Sequence, residues 1–378
     1  MPDFHRSENV GQAETIVDKI GSSVLTQDGS DRIDLNRMQH FAEQFAALRR
    51  AGKKVVVVSS GAVAAGMGRL GLKTRPTDLR HLQAAAATGQ SRLIRLYEDS
   101  LREFGIHVGQ LLLTANDFRS RERYLNATNT IRTLFEYEVI PVVNENDTVS
   151  VDEIKFGDND HLAAMLSSML PDALLVILSS VDGLHRGSVD QPIVSAVDGW
   201  DPELLRFATD EASRFGTGGM KSKLQAVRTA MTSGVNVVLA NGSTTGVLSA
   251  VLAGESIGTW FRSQERSIPA WKRWIGYTVA PEGRLIVDDG ARDAILLKGG
   301  SLLAVGIKQV TGEFRQGEAV AVVGSAGQEV ARGLSNYSSS ELGRIAGRSS
   351  DLIAGILGHV PYAEVIHRDN LVVLPESG

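Results

Sequence analysis

The stretch K-V-V-V-V-S-S-G-A, Lys54 to Ala62, decides the fold class. A strand with one face in water alternates apolar and polar residues, whereas a strand covered on both faces reads as an unbroken apolar run. Four consecutive valines are of the second kind. Stretches 15–20, 108–114, 139–143, 174–178 and 235–240 read the same way. Helical patterns lie between them. Met38, Phe41, Ala42, Phe45 and Leu48 form one apolar stripe that ends at Ala51-Gly52, and 84–104, 121–137 and 160–170 are others. Buried strands alternating with helices predict an α/β fold, a mostly parallel sheet sandwiched between helix layers.

Such sheets bind ligands at the C-terminal ends of their strands. The residues there are Gly21-Ser22-Ser23, Ser59-Ser60-Gly61-Ala62, Asn144-Glu145-Asn146-Asp147 and Ser179-Ser180-Val181-Asp182-Gly183. All four loops are small, polar or acidic, a coincidence more informative than any one loop. Lys19 ends the first strand, where its ammonium would point into the crevice. A surface lysine before a turn explains it equally well, and the charged Asp18 in the same strand mildly favours that plainer reading. Gly157-Asp158-Asn159-Asp160 precedes Leu162, Met165 and Leu166 at helical spacing, so one of its polar residues is expected to cap a helix.

G-T-G-G-M-K-S-K, Gly216 to Lys223, opens a further helical pattern carried by Leu224, Val227 and Met231. A glycine-rich turn at a helix N-terminus can aim several N–H groups at one anion, and the helix dipole favours negative charge there. Its spacing is not that of a P-loop. Gly66-Met67-Gly68-Arg69-Leu70-Gly71 matches G-x-G-x-x-G, but it does not directly follow a strand, so it reads as a glycine-rich helix end. The histidines show no metal-ligand spacing.

With 378 residues, two domains are expected. The chain has no cysteine, which excludes disulfides, thiolate catalysis and cysteine-ligated zinc. A net charge of −5 leaves no global basic footprint for nucleic acid. No apolar run approaches the roughly 18 residues of a membrane helix. Residues 1–14 are polar, unlike a secretory signal, and are expected to form a disordered extension. A cytoplasmic location follows as an expectation. The pattern changes near residue 262. Residues 263–283 read as a linker, and 284–367 as a small domain of short strands, α+β or barrel-like.

In order along residues 15–260, K-I-G-S-S, V-S-S-G-A-V-A-A-G, G-Q-L-L-L-T, V-N-E-N-D, G-D-N-D, V-D-G-L and G-T-G-G-M-K-S-K resemble the amino acid kinase family, in particular its glutamate-phosphorylating members. The segment 284–360 resembles a PUA domain. The resemblance implies the amino acid kinase fold for 15–262 and a PUA-like β-barrel after it. It implies ATP-dependent phosphorylation of the γ-carboxylate of L-glutamate, the first step of proline biosynthesis. Lys19, Lys223 and Asp160 would be catalytic, with Asp160 orienting both lysines. Ser60, Asp147 and Asn159 would hold glutamate. Lys19, Ser179, Ser180, Thr217, Gly218, Gly219, Met220, Lys221, Ser222 and Lys223 would hold ATP. Mg²⁺ would arrive with the nucleotide, not in a protein cage. Proline as feedback inhibitor and a homo-oligomer, dimer or tetramer, are also implied. The competing readings are a sibling kinase with another substrate and an RNA-binding PUA protein with degenerate kinase activity. The sequence departs from the pattern at Ser180, where aspartate is usual, at Leu82, after Leu184, and at Asp18, where an apolar residue is usual.

Overall fold

The computed structural model describes residues 6, 10–27, 32–149, 159–187, 191–207, 219–263, 272, 274–359 and 362–374. The chain divides into two compact units. One comprises Met1–Ala115 and Asn126–Ser267, the other Asn116–Leu125 and Ile268–Gly378.

The first unit is built on an eight-stranded sheet in the order β3-β4-β2-β1-β5-β7-β8-β6. Its strands are β1 (Thr15–Ile20), β2 (Lys54–Ser59), β3 (Val108–Leu113), β4 (Ile140–Glu145), β5 (Ala173–Ser179), β6 (Ala196–Asp198), β7 (Asn236–Asn241) and β8 (Thr259–Arg262). Every pairing is parallel except β7 with β8. The six apolar runs read from the sequence form β1 to β5 and β7. The short β6 and β8 have too little periodicity to be seen that way. All of β1 and β4, and all but the first residue of β2 and β5, are buried, as two-sided coverage requires.

The helices are α1 (Leu35–Arg50), α2 (Ala62–Leu70), α3 (Leu79–Arg102), α4 (Arg121–Glu136), α5 (Asn159–Met169) and α6 (Met220–Thr232). Phe41 and Phe45 of α1 and Leu93, Tyr97 and Leu101 of α3 share one core with Ile16, Val55, Val57, Val142 and Val176 of the sheet. On β1, Ile16 and Ile20 point into that core. Successive strand side chains alternate between faces, so Lys19 points to the other side, where Asp160 of α5 meets it.

G-x-G-x-x-G lies on α2 and its end, with Gly71 as the left-handed cap at φ 68°. Its first glycine has a packing reason. A Cβ on Gly66 would stand 1.8 Å from the Ala85 carbonyl oxygen of α3, and one on Gly89 of α3 would stand 1.8 Å from that of Ala62. The two helix backbones touch there. Of the N-terminal extension expected over residues 1–14, residues 1–5 and 7–9 lie outside the described residues, and the others differ from expectation. Val10 is fully buried in the core, and Lys53 Nζ donates to the carbonyls of Gly11 at 2.7 Å and Ala13 at 2.8 Å. Arg6, also buried, donates to the Ile257 carbonyl. One valine anchors a stretch whose average composition reads as disordered.

The second unit holds a five-stranded sheet, β10-β9-β11-β12-β13. Its strands are β9 (Gly283–Val287), β10 (Ile307–Gly312), β11 (Ala319–Val323), β12 (Glu329–Leu334) and β13 (Leu371–Val373). The last lies beyond residue 367, where the sequence reading ended the domain. Trp274–Thr278, read as part of a linker, form a π-helical turn with Trp274 and Ile275 buried. The Trp274 indole donates to the Phe118 carbonyl and its ring lies 5.0 Å from that of Tyr124. These contacts place the excursion Asn116–Leu125 in this unit.

Candidate active site

β1 is the topological switch point, with β2 on one side and β5 on the other. In open α/β sheets ligands bind outside the C-terminal strand ends at such a point. Gly21 keeps the end of β1 tied to its neighbour, its N–H donating to the Leu178 carbonyl at 3.0 Å. A Cβ on Gly21 would lie 3.3 Å from that same oxygen and 3.8 Å from Lys19 Nζ. The missing side chain leaves the space beside the ammonium clear.

Three ionised side chains meet at this point. Lys19 Nζ is 2.5 Å from Asp160 Oδ1, and Lys223 Nζ is 3.1 Å from Asp160 Oδ2. Lys19 comes from β1, Asp160 from the first turn of α5 and Lys223 from the first turn of α6. All three are buried, Asp160 almost completely. Burial pushes the Asp160 carboxyl up, but the charges of Lys19 and Lys223 and their hydrogen bonds outweigh it and hold it at about 2. Two ammoniums share this one carboxylate, so the three groups together carry a net positive charge, which suits an anion.

A second group sits on the β2–β4 side. Asn159 Nδ2 donates to Ser60 Oγ at 3.0 Å and to Asn144 Oδ1 at 2.9 Å. The Glu145 N–H donates to Asn144 Oδ1 at 2.9 Å and to Asn159 Oδ1 at 3.3 Å. Asn159 opens α5 and Asp160 follows it, so one helix start carries a residue of each group. Gly61, at φ 118°, makes the turn that presents Ser60. Asp147 lies half-buried on the turn after β4. Of the three residues expected to hold glutamate, Ser60 and Asn159 are thus in contact. Asn144 is a member that sequence reasoning quoted in its motif but gave no role. Its position at the end of a buried strand was the available signal.

On the β5–β7 side, Ser179 is buried at the strand end and Ser180 is exposed beside it. The Gly242 N–H donates to the Ser179 carbonyl at 2.9 Å. Gly219 precedes α6 in extended conformation and offers no side-chain cap, so the first N–H groups of α6 meet no side chain of their own N-cap residue. Ser222 Oγ is buried without a hydrogen-bond partner among the described residues. Met220 is half-buried and Lys221 exposed. Thr217 and Gly218 lie outside the described residues.

The amino acid kinase family model matches residues 14–241, which hold both groups. The chain belongs to the amino acid kinase family. A PUA domain model matches residues 283–357, within the second unit. Among amino acid kinases, the chain is 45% identical over 373 residues to a glutamate 5-kinase of Pelobacter propionicus, covering 98% of this chain and 100% of that one. It is 46% identical over 371 residues to a glutamate 5-kinase of Thioalkalivibrio sulfidiphilus, covering 97% and 99%. It is 45% identical over 373 residues to one of Pseudomonas fluorescens, covering 98% and 100%. Among solved structures, a UMP kinase of Bacillus anthracis superposes with a TM-score of 0.45 at 12% identity over 67% of this chain and 97% of that one, too distant to carry an argument.

Proposed function

We propose that this amino acid kinase phosphorylates the γ-carboxylate of L-glutamate with ATP, giving L-glutamyl 5-phosphate for proline biosynthesis. The observation that carries the proposal is the pair of lysines joined by one buried aspartate, flanked on one side by an amide–hydroxyl group and on the other by a helix start whose N-cap is a glycine. Full-length similarity to glutamate 5-kinases supports the choice of substrate.

In this reading Ser60, Asn159 and Asp147 hold glutamate, the first two as a hydroxyl–amide pair and Asp147 as a counter-charge for its ammonium. Ser179, Ser180 and the segment from Thr217 to Lys223 hold the nucleotide. Glutamate's carboxylate is already ionised at neutral pH and needs no general base. One of its oxygens attacks the γ-phosphorus in line, the bond from that phosphorus to the β–γ bridging oxygen breaks, and ADP leaves without proton transfer. The difficulty is bringing two anions together, so catalysis rests on positioning and charge neutralisation. Lys19 and Lys223 neutralise the transferring group, and Asp160 fixes their separation. Both Asp160 oxygens are committed to lysines, which leaves the divalent cation, Mg²⁺ in this reading, to the nucleotide's own phosphates. When bound it supplies further neutralisation. The proposal extends to a cytoplasmic enzyme that assembles as a homo-oligomer and is inhibited by proline.

ADP release with glutamate, aspartate and N-acetylglutamate as acceptors tests the assignment. Glutamate is expected to be the preferred acceptor. Release with aspartate but not glutamate would overturn it.

A further inference from the structure

Helix α3 reaches both loops that carry the acceptor-side residues, using two buried side chains seven positions apart on one face. The first is Tyr97. It is 2% exposed, and its phenol oxygen lies 2.8 Å from Ser59 Oγ. Ser59 Oγ in turn donates to the Ser60 carbonyl at 3.1 Å. A serine hydroxyl has one proton. With that proton spent on Ser60, the phenol must be the donor to Ser59. Burial raises the phenol above its ordinary range, which keeps the proton on it. Tyr97 therefore clamps the Ser59–Ser60 turn from below.

The second is Gln90, also buried. Its Nε2 donates to the Glu145 carbonyl at 3.3 Å, and its Oε1 accepts from Gln110 Nε2 at 3.3 Å. The N–H of that same Glu145 donates to Asn159 and Asn144. The amide thus holds from behind the residue that orients Asn159 in front.

We propose that Tyr97 and Gln90 are positioning residues for the acceptor substrate, acting through Ser59–Ser60 and Glu145–Asn159 without touching it. This rests on the assignment of Ser60 and Asn159 to glutamate. Both clamps act on the β2 and β4 ends and neither on β5 or α6. Their loss is therefore felt by the acceptor and not by the nucleotide.

The test is steady-state kinetics of the full chain carrying Tyr97→Phe or Gln90→Met, with melting temperature measured alongside. Each change removes polar atoms and keeps most of the volume. Losing the one hydrogen bond that each side chain makes to an acceptor-side loop predicts a KM for glutamate raised about 3- to 10-fold in each variant. The KM for ATP is expected to stay within about twofold, since a clamp on β2 and β4 leaves the nucleotide side intact. A lowered melting temperature with both KM values unchanged would mean a purely structural role and overturn the proposal. So would a parallel rise in both KM values. If one variant does not fold, the other alone decides on the same criteria. Wild-type chain without glutamate-dependent ADP release removes the glutamate assignment before any variant is made, and the proposal with it.

Discussion

Asp160 joins the two lysines of the candidate site. Its carboxyl is held at about 2 by the two lysines against the cost of burial. Unfolded, it titrates near the ordinary value of roughly 3.9. A depressed folded value means that its stabilisation is present above that ordinary value and is lost as pH falls through about 2. The Asp160 carboxylate therefore stays ionised throughout the neutral range. Asp160→Ala leaves two buried ammoniums facing each other and is expected to cost about 3–5 kcal/mol, read by urea unfolding. Lys223→Ala is expected to lower kcat by roughly 10²- to 10³-fold, as for loss of one oxyanion donor. An unchanged kcat in the folded variant would remove Lys223 from the chemistry. Asp18 behaves in the opposite way. It is fully buried on the core side of β1 and neither of its oxygens has a hydrogen-bond partner among the described residues. Burial raises its carboxyl well above the usual range, and the nearby Lys19 charge only partly offsets this. The folded state then keeps a proton that the unfolded state has lost. The contribution of Asp18 to stability is greatest below the ordinary carboxylate value and falls with rising pH, by roughly 1.4 kcal/mol per unit, until the folded group ionises. Asp18→Val should raise stability near pH 8 and flatten that dependence in denaturant titrations. Equal slopes for variant and wild type would sink this account of Asp18.

Among the elements, α2 and α3 give the sharpest test. Their backbones touch at Gly66 and Gly89, where a Cβ would stand 1.8 Å from a carbonyl oxygen. Gly66→Ala or Gly89→Ala forces the helices apart, an overpacking cost of about 1–3 kcal/mol or more. Separation would also shift the turn at Gly61 that presents Ser60. Gly68→Ala on the same helix meets nothing closer than the flexible Arg92 side chain at 3.5 Å. It should be neutral or stabilising by up to about 1 kcal/mol, since alanine is the better helix former. Thermal unfolding of the three variants separates contact from propensity. The six main strands and most helices were legible because burial on both faces leaves unbroken apolar runs. The contact of α2 with α3 was not. Gly66 read as part of a glycine-rich helix end, and the partner backbone, at Gly89, lies in a different helix. The N-terminus of the short helix Val247–Leu252 shows the same limit. Its N-cap is a glycine without a cap side chain, and His40 and Gln44 of α1 accept from Gly246 N–H at 3.3 Å and Leu248 N–H at 2.9 Å.

In the molecule as a whole, chain order and compact units do not coincide. The excursion Asn116–Leu125 belongs with Ile268–Gly378, so the chain passes between units three times and not once. Phe118, Tyr124 and Trp274 are all buried there. A chain ending at residue 267 would strip the cover from Phe118 and Tyr124. Limited proteolysis is expected to cut within 116–125 in that truncated chain and to spare it in the full one. Trp274→Ala in the full chain should cost about 3–5 kcal/mol, the usual range for emptying a buried tryptophan site. Local patterns were sufficient for the parallel sheet and its polar strand ends, because apolar runs and strand-end loops are written in adjacent residues, whereas Lys19, Asp160 and Lys223 stood out together only through the family resemblance. The convergence of those three charges was not, nor the Asn159–Ser60 contact across 99 residues, the clamps from α3, or the unit that claims Phe118. Each of these depends on which strands become neighbours and which side chains share a face. That choice is settled by burying apolar surface across the whole chain at once, and no single window of sequence contains it.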